Sequence, residues 1–219
     1  MGTTIGFLHT ADVHVATFNA LVAEQSAHIQ TCHFVVPSLL EQARSLGVDD
    51  LRVRRMVEVA VAELCDGAER PDVIVCTCST VSGVAEQVPA RVAVLRIDRP
   101  MAEAAVLAGR RLAVVTAVDS TVTPTISLLT ECAVVAGAMV EIVSVPCSGA
   151  WLLFEAGDIN GYLSALARHV DGLDASFDVV VLAQASMLRA LDHIEPRTGR
   201  VVLASPPMAV AAALALLAM

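Results

Sequence analysis

Blocks of hydrophobic and polar positions follow one another along the whole chain, and they predict strands and helices in turn. Short apolar runs such as Val73–Val75 and Val179–Leu182 show no alternation of polar and apolar residues. Such runs are typical of strands that are buried on both faces of a parallel sheet. Longer mixed stretches separate them and favour helices. A regular alternation of strand and helix indicates an α/β fold with parallel strands.

The pattern is clear enough to give each element approximate bounds. The predicted strands are Thr4–His9, His28–Val36, Asp72–Cys76, Arg91–Ile97, Arg111–Thr116, Val140–Val145, Asp178–Ala183 and Val201–Ala204. The predicted helices are Ala16–Ser26, two pieces within Pro37–Ala68, a short one that ends at Gln87, Met101–Gly109, Thr123–Ala136, Asp158–Leu173 and Met208–Met219. We expect Asp49 to cap the second piece of the Pro37–Ala68 region, and Ser79 or Thr80 to cap the short helix.

Two segments of the chain are similar enough to suggest an internal repeat. Asp72–Thr80 and Asp178–Met187 each contain an acidic residue, a buried β run and small polar residues where the strand would end. In register, Cys78 corresponds to Gln184. Residues 5–10 and 112–117 match in the same way. Duplication of one supersecondary unit is the simplest interpretation.

The repeat predicts two pseudo-symmetric α/β halves, each with a four-stranded parallel sheet. We expect residues 1–98 with 206–219 to form the first domain and residues 99–205 the second. No low-complexity linker separates them. We therefore expect the halves to pack closely and to place a site in the cleft between them, because open α/β sheets bind ligands at their strand ends.

Composition excludes several classes of function. The net charge of −9, without a basic stripe, argues against a nucleic-acid partner. The longest apolar run, Met208–Met219, is shorter than the ~20 residues that cross a bilayer, so we expect no membrane partner. Residues 1–8 do not resemble a secretory signal, which predicts a cytoplasmic protein whose six cysteines are free thiols. A homodimer remains possible.

Cys78 is the strongest candidate for chemistry. It is predicted to follow a strand and precede a helix, where backbone amides lower the pKa of a thiol. Ser79 and Thr80 add hydroxyl donors for a carboxylate. Cys76 lies within the strand and is expected to be a core thiol. A metal site built from these two cysteines with others lacks the spacing of structural zinc sites.

Further polar residues lie at other predicted strand ends. His9 could be an acid or base, or only a structural residue. Arg99 could clamp a carboxylate or form a salt bridge at the rim. The chain has no Walker motif, G-x-G-x-x-G or H-E-x-x-H, so we expect no cofactor and no metal. The remaining candidates for binding a substrate carboxylate are Thr10, Thr116, Ser120, Thr121, Gln184 and Ser186.

These residues together resemble the aspartate/glutamate/hydantoin racemase superfamily over essentially the whole chain. Cys78-Ser79-Thr80 is similar to the Cys-Asn-Thr-like tripeptide of the first half, and residues 182–187 resemble the Leu-Gly-Cys segment of the second. Residues 5–10 take the place of the first-strand motif, and residues 115–121 resemble the loop that caps substrate carboxylates. The resemblance implies a cofactor-independent enzyme that acts on a small carboxylate or dicarboxylate.

One departure from the family pattern bears on mechanism. The resemblance implies two cysteines, one on each side of the substrate α-carbon, but Gln184 occupies the second position and an amide does not exchange protons at neutral pH. We therefore expect a reaction that uses one thiol, Cys78, and no racemisation of aspartate or glutamate.

Three alternatives stay open. Relatives with a single working cysteine act as decarboxylases, and others isomerise maleate by adding a thiolate. The protein could instead bind a small acid without catalysis. It could also be a two-base racemase that uses His9 or Cys147 as the second group.

Overall fold

The computed structural model describes residues 2–197 and 199–218, in which strands and helices alternate along the chain. The strands are β1 Thr4–His9, β2 Gln30–Val35, β3 Val73–Cys76, β4 Ala93–Arg96, β5 Arg111–Val115, β6 Glu141–Ser144, β7 Val179–Leu182 and β8 Val201–Ala204. The helices are α1 Val13–Gln25, α2 Pro37–Leu46, α3 Leu51–Asp66, α4 Ser82–Ala85, α5 Arg99–Ala108, α6 Val122–Ala136, α7 Ala150–Glu155, α8 Ile159–Asp171 and α9 Ser205–Leu217. Asp119–Thr121 and Ala185–His193 are 3₁₀-helical.

The chain divides into two compact units. Unit 1 extends from the N-terminus to Arg99 and resumes at Pro206, and unit 2 is Pro100–Ser205. Each unit contains one four-stranded sheet whose pairings are all parallel, with strand order β2-β1-β3-β4 in unit 1 and β6-β5-β7-β8 in unit 2. The predicted α/β class with two four-stranded parallel sheets is confirmed.

The two units repeat one design down to individual hydrogen bonds. The Asp72 carboxylate accepts the backbone N–H of Thr4 at 2.8 Å, where β1 begins. The Asp178 carboxylate accepts the backbone N–H groups of Arg110 and Arg111 at 2.8 and 2.9 Å, where β5 begins. The acidic residue that opens each half of the sequence repeat therefore anchors the start of a central strand.

Burial explains why the central strands lack alternation. Every residue of β1, β3 and β7 is buried, whereas the edge strand β2 is only partly covered. In unit 1 the core packs β1 and β3 against α2 and α3, with Leu39, Val57 and Ile74 among its fully buried residues.

The structure corrects several predicted details. Asp50, not Asp49, caps α3, because its carboxylate accepts the backbone N–H of Arg52 at 2.8 Å. Neither Ser79 nor Thr80 caps α4, whose N-cap is Val81 without a side-chain hydrogen bond. The pattern also missed α7, which has only six residues, and the 3₁₀ segment Ala185–His193, whose three residues per turn differ from the 3.6-residue period of an α-helix.

The last helix is observed as Ser205–Leu217, and Met219 of its predicted span lies outside the described residues. No helix within residues 2–197 and 199–218 combines the length and apolar character that a membrane span requires.

Candidate active site

Cys78 lies two residues beyond the end of β3, at the carboxyl edge of the unit 1 sheet. Its residue surface is only 8% exposed. The backbone turns directly after Cys78. The Cys78 carbonyl oxygen accepts the backbone N–H groups of Val81 at 3.1 Å and Ser82 at 2.9 Å.

Four donors surround the Cys78 sulfur. The hydroxyl groups of Thr10 and Thr80 and the backbone amides of Thr80 and Val81 donate hydrogen bonds to Sγ. Each of them stabilises the thiolate and lowers the pKa. Burial acts in the opposite direction and outweighs them, so that the pKa of Cys78 is raised overall. The expected lowering of the pKa by amides at this turn is therefore wrong for the thiol as a whole, because a buried charge loses its hydration.

The other cysteine of the pair is a core thiol, as its position in the strand predicts. Cys76 is completely buried, and burial raises its pKa strongly. All six cysteines are free and buried. Among the described residues, no three histidine, cysteine or acidic side chains lie close enough together to hold a metal ion.

An ion pair beneath the Cys78 turn was missed by the sequence analysis. The Arg96 guanidinium donates to both carboxylate oxygens of Asp98, at 2.7 and 3.0 Å, and both side chains are buried. The Ser82 hydroxyl lies 3.4 Å from the Asp98 carboxylate and 3.4 Å from the backbone carbonyl of Ser79. Arg96 and Asp98 are separated by one residue at a strand end. This spacing could have indicated the pair, since residues two apart lie on the same side of an extended chain.

Ser79 supplies an unsatisfied group at the same turn. Its side chain is 4% exposed, and its hydroxyl oxygen has no hydrogen-bond partner. A buried polar atom without a partner is costly, and such atoms are commonly completed by a ligand or by water. The Ser79 hydroxyl is therefore available to a bound carboxylate oxygen.

His9 is fully buried at the end of β1, and both ring nitrogens are engaged. Nδ1 lies 2.8 Å from the Thr77 hydroxyl, and Nε2 lies 2.8 Å from Nδ1 of His33. Burial, and then the charges of His33 and His14, lower the pKa of His9 to about 3. At neutral pH His9 is therefore an uncharged imidazole.

Arg99 begins α5 and forms a bidentate pair with Glu86, in which both N–O distances are 2.6 Å. The sequence left a carboxylate clamp and a salt bridge as alternatives for this residue. In the structure the carboxylate that it binds belongs to the protein.

Gln184 occupies the equivalent strand end of unit 2. Its side-chain Oε1 accepts the backbone N–H groups of Ala117 at 2.6 Å and Val118 at 3.1 Å. Two N–H donors can face only the oxygen of the amide, so the orientation of the side chain is fixed by chemistry. The Nε2 amino group of Gln184, which carries two N–H donors, therefore points away from the N–H groups of Ala117 and Val118.

The remaining candidates in unit 2 are four hydroxyl residues in different surroundings. The Thr116 hydroxyl at the end of β5 is buried and has no hydrogen-bond partner, which makes it a second available donor. Thr121 is buried and Ser120 half-buried in the 3₁₀ turn after β5. Ser186 is already engaged, since its hydroxyl lies 2.8 Å from the Tyr162 hydroxyl.

Comparison with solved structures identifies the fold. No family model matches the sequence, and no curated protein matches it significantly. In structure, an aspartate racemase from Picrophilus torridus aligns with a TM-score of 0.74 at 13% identity, over 98% of this chain and 94% of its own. The chain has the fold of the aspartate and glutamate racemases.

Two further neighbours support this identification. A glutamate racemase from Bacillus anthracis aligns with a TM-score of 0.70 at 14% identity, over 99% of this chain and 82% of its own. An allantoin racemase from Pseudomonas fluorescens aligns with a TM-score of 0.64 at 19% identity, over 99% of this chain and 91% of its own. The resemblance noted in the sequence is confirmed at the level of the fold.

Proposed function

We propose that the protein is a cofactor-independent enzyme that acts on a small carboxylate or dicarboxylate through one thiol, Cys78. The observation that carries the proposal is the set of four donors on its sulfur. A structural core cysteine has no need of two hydroxyls and two amides, and the hydrogen bond that lowers the pKa of the neighbouring Cys76 comes from one group, the Cys78 amide, among the described residues. Donors of this kind stabilise a thiolate at the moment when it forms.

The raised pKa of Cys78 suggests the direction of proton transfer. A thiol that is protonated at neutral pH can act as an acid, and the four donors then stabilise the sulfur after the proton has left. We therefore propose that Cys78 gives a proton to a carbanion next to the substrate carboxylate. The S–H bond breaks, a C–H bond forms, and the negative charge moves to sulfur.

Neutral donors are proposed to hold the carboxylate. In unit 1 the Ser79 hydroxyl, next to Cys78, is buried without a partner. Hydrogen bonds from such groups to a charged oxygen contribute ~1.5–3 kcal/mol each. They bind an anion without exchanging protons with it. We propose the cytoplasm as the location, which agrees with free cysteines.

Selective alkylation tests the role of Cys78. With iodoacetamide at pH 8, peptide mass mapping should find Cys78 modified well before Cys76, and the Cys78→Ser variant should lose all turnover of any substrate found. Cys76→Ser is the matched control, because it removes a neighbouring buried thiol without touching the four donors. Preferential labelling of Cys65 or Cys132, with Cys78 inert, would refute the proposal.

A decarboxylase-type lyase is the second candidate, and the thiol favours it. Loss of carbon dioxide from a malonate-type acid leaves a carbanion that needs one proton and no second base. The protonated Cys78 thiol can supply that proton, and Gln184, at the equivalent position of the repeat, is not a base. The test is reaction of disubstituted malonates in deuterated water: a lyase releases carbon dioxide and incorporates one deuteron with one stereochemistry. Exchange at the α-carbon of aspartate or glutamate, without carbon dioxide release, would point to a two-base racemase instead.

A further inference from the structure

A continuous row of polar side chains crosses unit 1 from its surface to the residue before Cys78. Asn19 is exposed, and its Oδ1 lies 3.0 Å from Nε2 of His33. His33 Nδ1 lies 2.8 Å from Nε2 of His9, and His9 Nδ1 lies 2.8 Å from the Thr77 hydroxyl. The Thr77 hydroxyl is in turn 3.1 Å from the carbonyl oxygen of Leu8.

The contacts permit one arrangement of protons when both imidazoles are neutral and Asn19 is oriented as observed. His33 must donate from Nε2 to Asn19 Oδ1, because that oxygen can only accept. His33 Nδ1 is then bare and accepts from His9 Nε2. His9 Nδ1 is bare in turn and accepts the proton of the Thr77 hydroxyl.

One added proton reverses this arrangement. A protonated His33 donates from both nitrogens, so that His9 Nε2 becomes an acceptor. His9 then carries its proton on Nδ1 and donates it to the Thr77 oxygen. The Thr77 hydroxyl must turn its own proton to the Leu8 carbonyl, which lies within hydrogen-bonding distance. Every group stays paired in both states.

We infer that the His9–His33 pair is a proton-responsive relay that sets the direction of the Thr77 hydroxyl and thereby positions Cys78. His9 is then a positioning residue that acts through Thr77. Only the role of Cys78 in this inference rests on the proposed function. The relay itself rests on the hydrogen bonds between Asn19, His33, His9 and Thr77.

The surroundings restrict the relay to a single added proton. His9 packs against the rings of Phe7 and Phe18, with centroids 5.9 and 5.6 Å away. The titratable groups that act on it are His33 and His14, and both disfavour a charge on His9. His14 lies 6.3 Å away and is itself influenced by Asp12. Burial lowers the pKa of His33 as well, but His33 is half-buried and contacts the exposed Asn19, whereas His9 is fully buried, so we place the added proton on His33.

Nitrogen-15 NMR of the histidine rings in the full chain tests the relay without any variant. We expect His9 to stay neutral while its ring proton changes from Nε2 to Nδ1 as the pH falls. The pH midpoint of this tautomer change should equal the midpoint for protonation of His33. A His9 ring that keeps one tautomer while His33 titrates would overturn the inference. So would a His9 that itself becomes charged near its ordinary pKa of 6.5.

Variants test whether the relay reaches Cys78. In the wild type, the amide signals of Cys78 and Ser79 should move with the His33 midpoint, and in Thr77→Val this movement should vanish. His9→Leu should abolish the movement as well, because it removes the contacts that join His33 to Thr77. His28→Gln, at an exposed histidine of the same unit, is the control and should leave the movement unchanged.

The two proposals fail in different ways. A Cys78 that is inert in the wild type, while its amide signal still follows His33, would refute the thiol chemistry and leave the relay standing. A reactive Cys78 whose amide signal moves with pH in the same way in the wild type, Thr77→Val and His9→Leu would refute the relay and leave the thiol chemistry standing. If His9→Leu does not fold, the tautomer measurement on the wild type decides.

Discussion

At the scale of single residues, the exchange of a thiol for an amide preserves one feature of the repeat. In unit 1 the sulfur of Cys78 accepts a hydrogen bond from the Thr10 side chain at the neighbouring strand end. In unit 2 the oxygen of Gln184 accepts one from the backbone N–H of Ala117, which is the equivalent position. Each unit therefore places an acceptor at the end of its third strand and a donor at the end of its first. The two acceptors differ in one respect: the Cys78 thiol can exchange a proton, and the Gln184 amide cannot.

Gln184 should consequently contribute to stability as well as to binding. Gln184→Leu would leave the buried N–H of Val118 without its acceptor, and an unsatisfied buried donor costs about 1–3 kcal/mol. Gln184→Glu keeps an oxygen in place and should lose less. Urea unfolding followed by the fluorescence of Trp151, the single tryptophan and a residue of unit 2, measures both. A Leu variant as stable as the wild type would contradict this account of the side chain.

At the scale of secondary structure, the strand starts are as closely specified as the strand ends. The Asp178 carboxylate is held by two backbone N–H groups, which lower its pKa. Gly109 lies directly against it: a Cβ added at this position would meet the Cβ of Asp178 at 2.4 Å. The absence of a side chain at Gly109 allows α5 to end and β5 to begin beside the anchoring acid.

Gly109→Ala should therefore destabilise the protein. The contact is with the base of a side chain that is tied at its other end, so relief requires backbone movement, and overpacking of this kind costs about 1–3 kcal/mol. Gly67→Ala is the matched control. Gly67 has a negative φ of −59° and its nearest contact would be 3.4 Å, so the substitution should be neutral or stabilise by about 0.4–1 kcal/mol. Far-UV circular dichroism during urea unfolding reports both, and equal stability of the two variants would contradict the steric argument.

At the scale of the whole molecule, the histidines whose pKa is lowered by burial all lie in one unit. His9, His14 and His33 all belong to unit 1, and burial lowers the pKa of each; the values for His9 and His14 are about 3 and about 4, against an ordinary 6.5. A histidine that stays neutral when folded gains a proton on unfolding below pH 6.5. Stability is then complete above that pH and falls as the pH approaches the folded value.

We accordingly expect unit 1 to lose stability between pH 7 and pH 5, where ordinary carboxylates remain ionised. Each of these histidines steepens the fall by at most about 1.4 kcal/mol per pH unit. Pulsed alkylation in mild urea measures it, because Cys76 reports on unit 1 and Cys132 on unit 2. His14→Gln should flatten the slope for Cys76, whereas His193→Gln, at an exposed histidine of unit 2, should not. Equal pH dependence of Cys76 and Cys132 would show the assignment to unit 1 to be wrong.

The sequence alone determined the class of fold and much of its order. Periodicity and burial are properties of consecutive residues, so the unbroken apolar runs predicted the central strands to within one or two residues. The repeat of Asp72 and Asp178 was visible for the same reason, since each acid directly precedes its strand. Helix ends were less certain: the choice between Asp49 and Asp50 as a cap depends on which carboxylate turns towards an N–H group.

Only the tertiary structure decided the electrostatics of the candidate site. The Cys78 turn predicted donors and a lowered pKa, but the depth of burial, which no local pattern encodes, reversed the sign. The relay through His33, His9 and Thr77 joins residues up to 68 positions apart in sequence. The orientation of the Gln184 amide likewise depends on two N–H groups that lie 66 and 67 residues away. Such contacts arise because parallel strands bring distant strand ends to one edge of a sheet, and their energies depend on the water that this packing excludes.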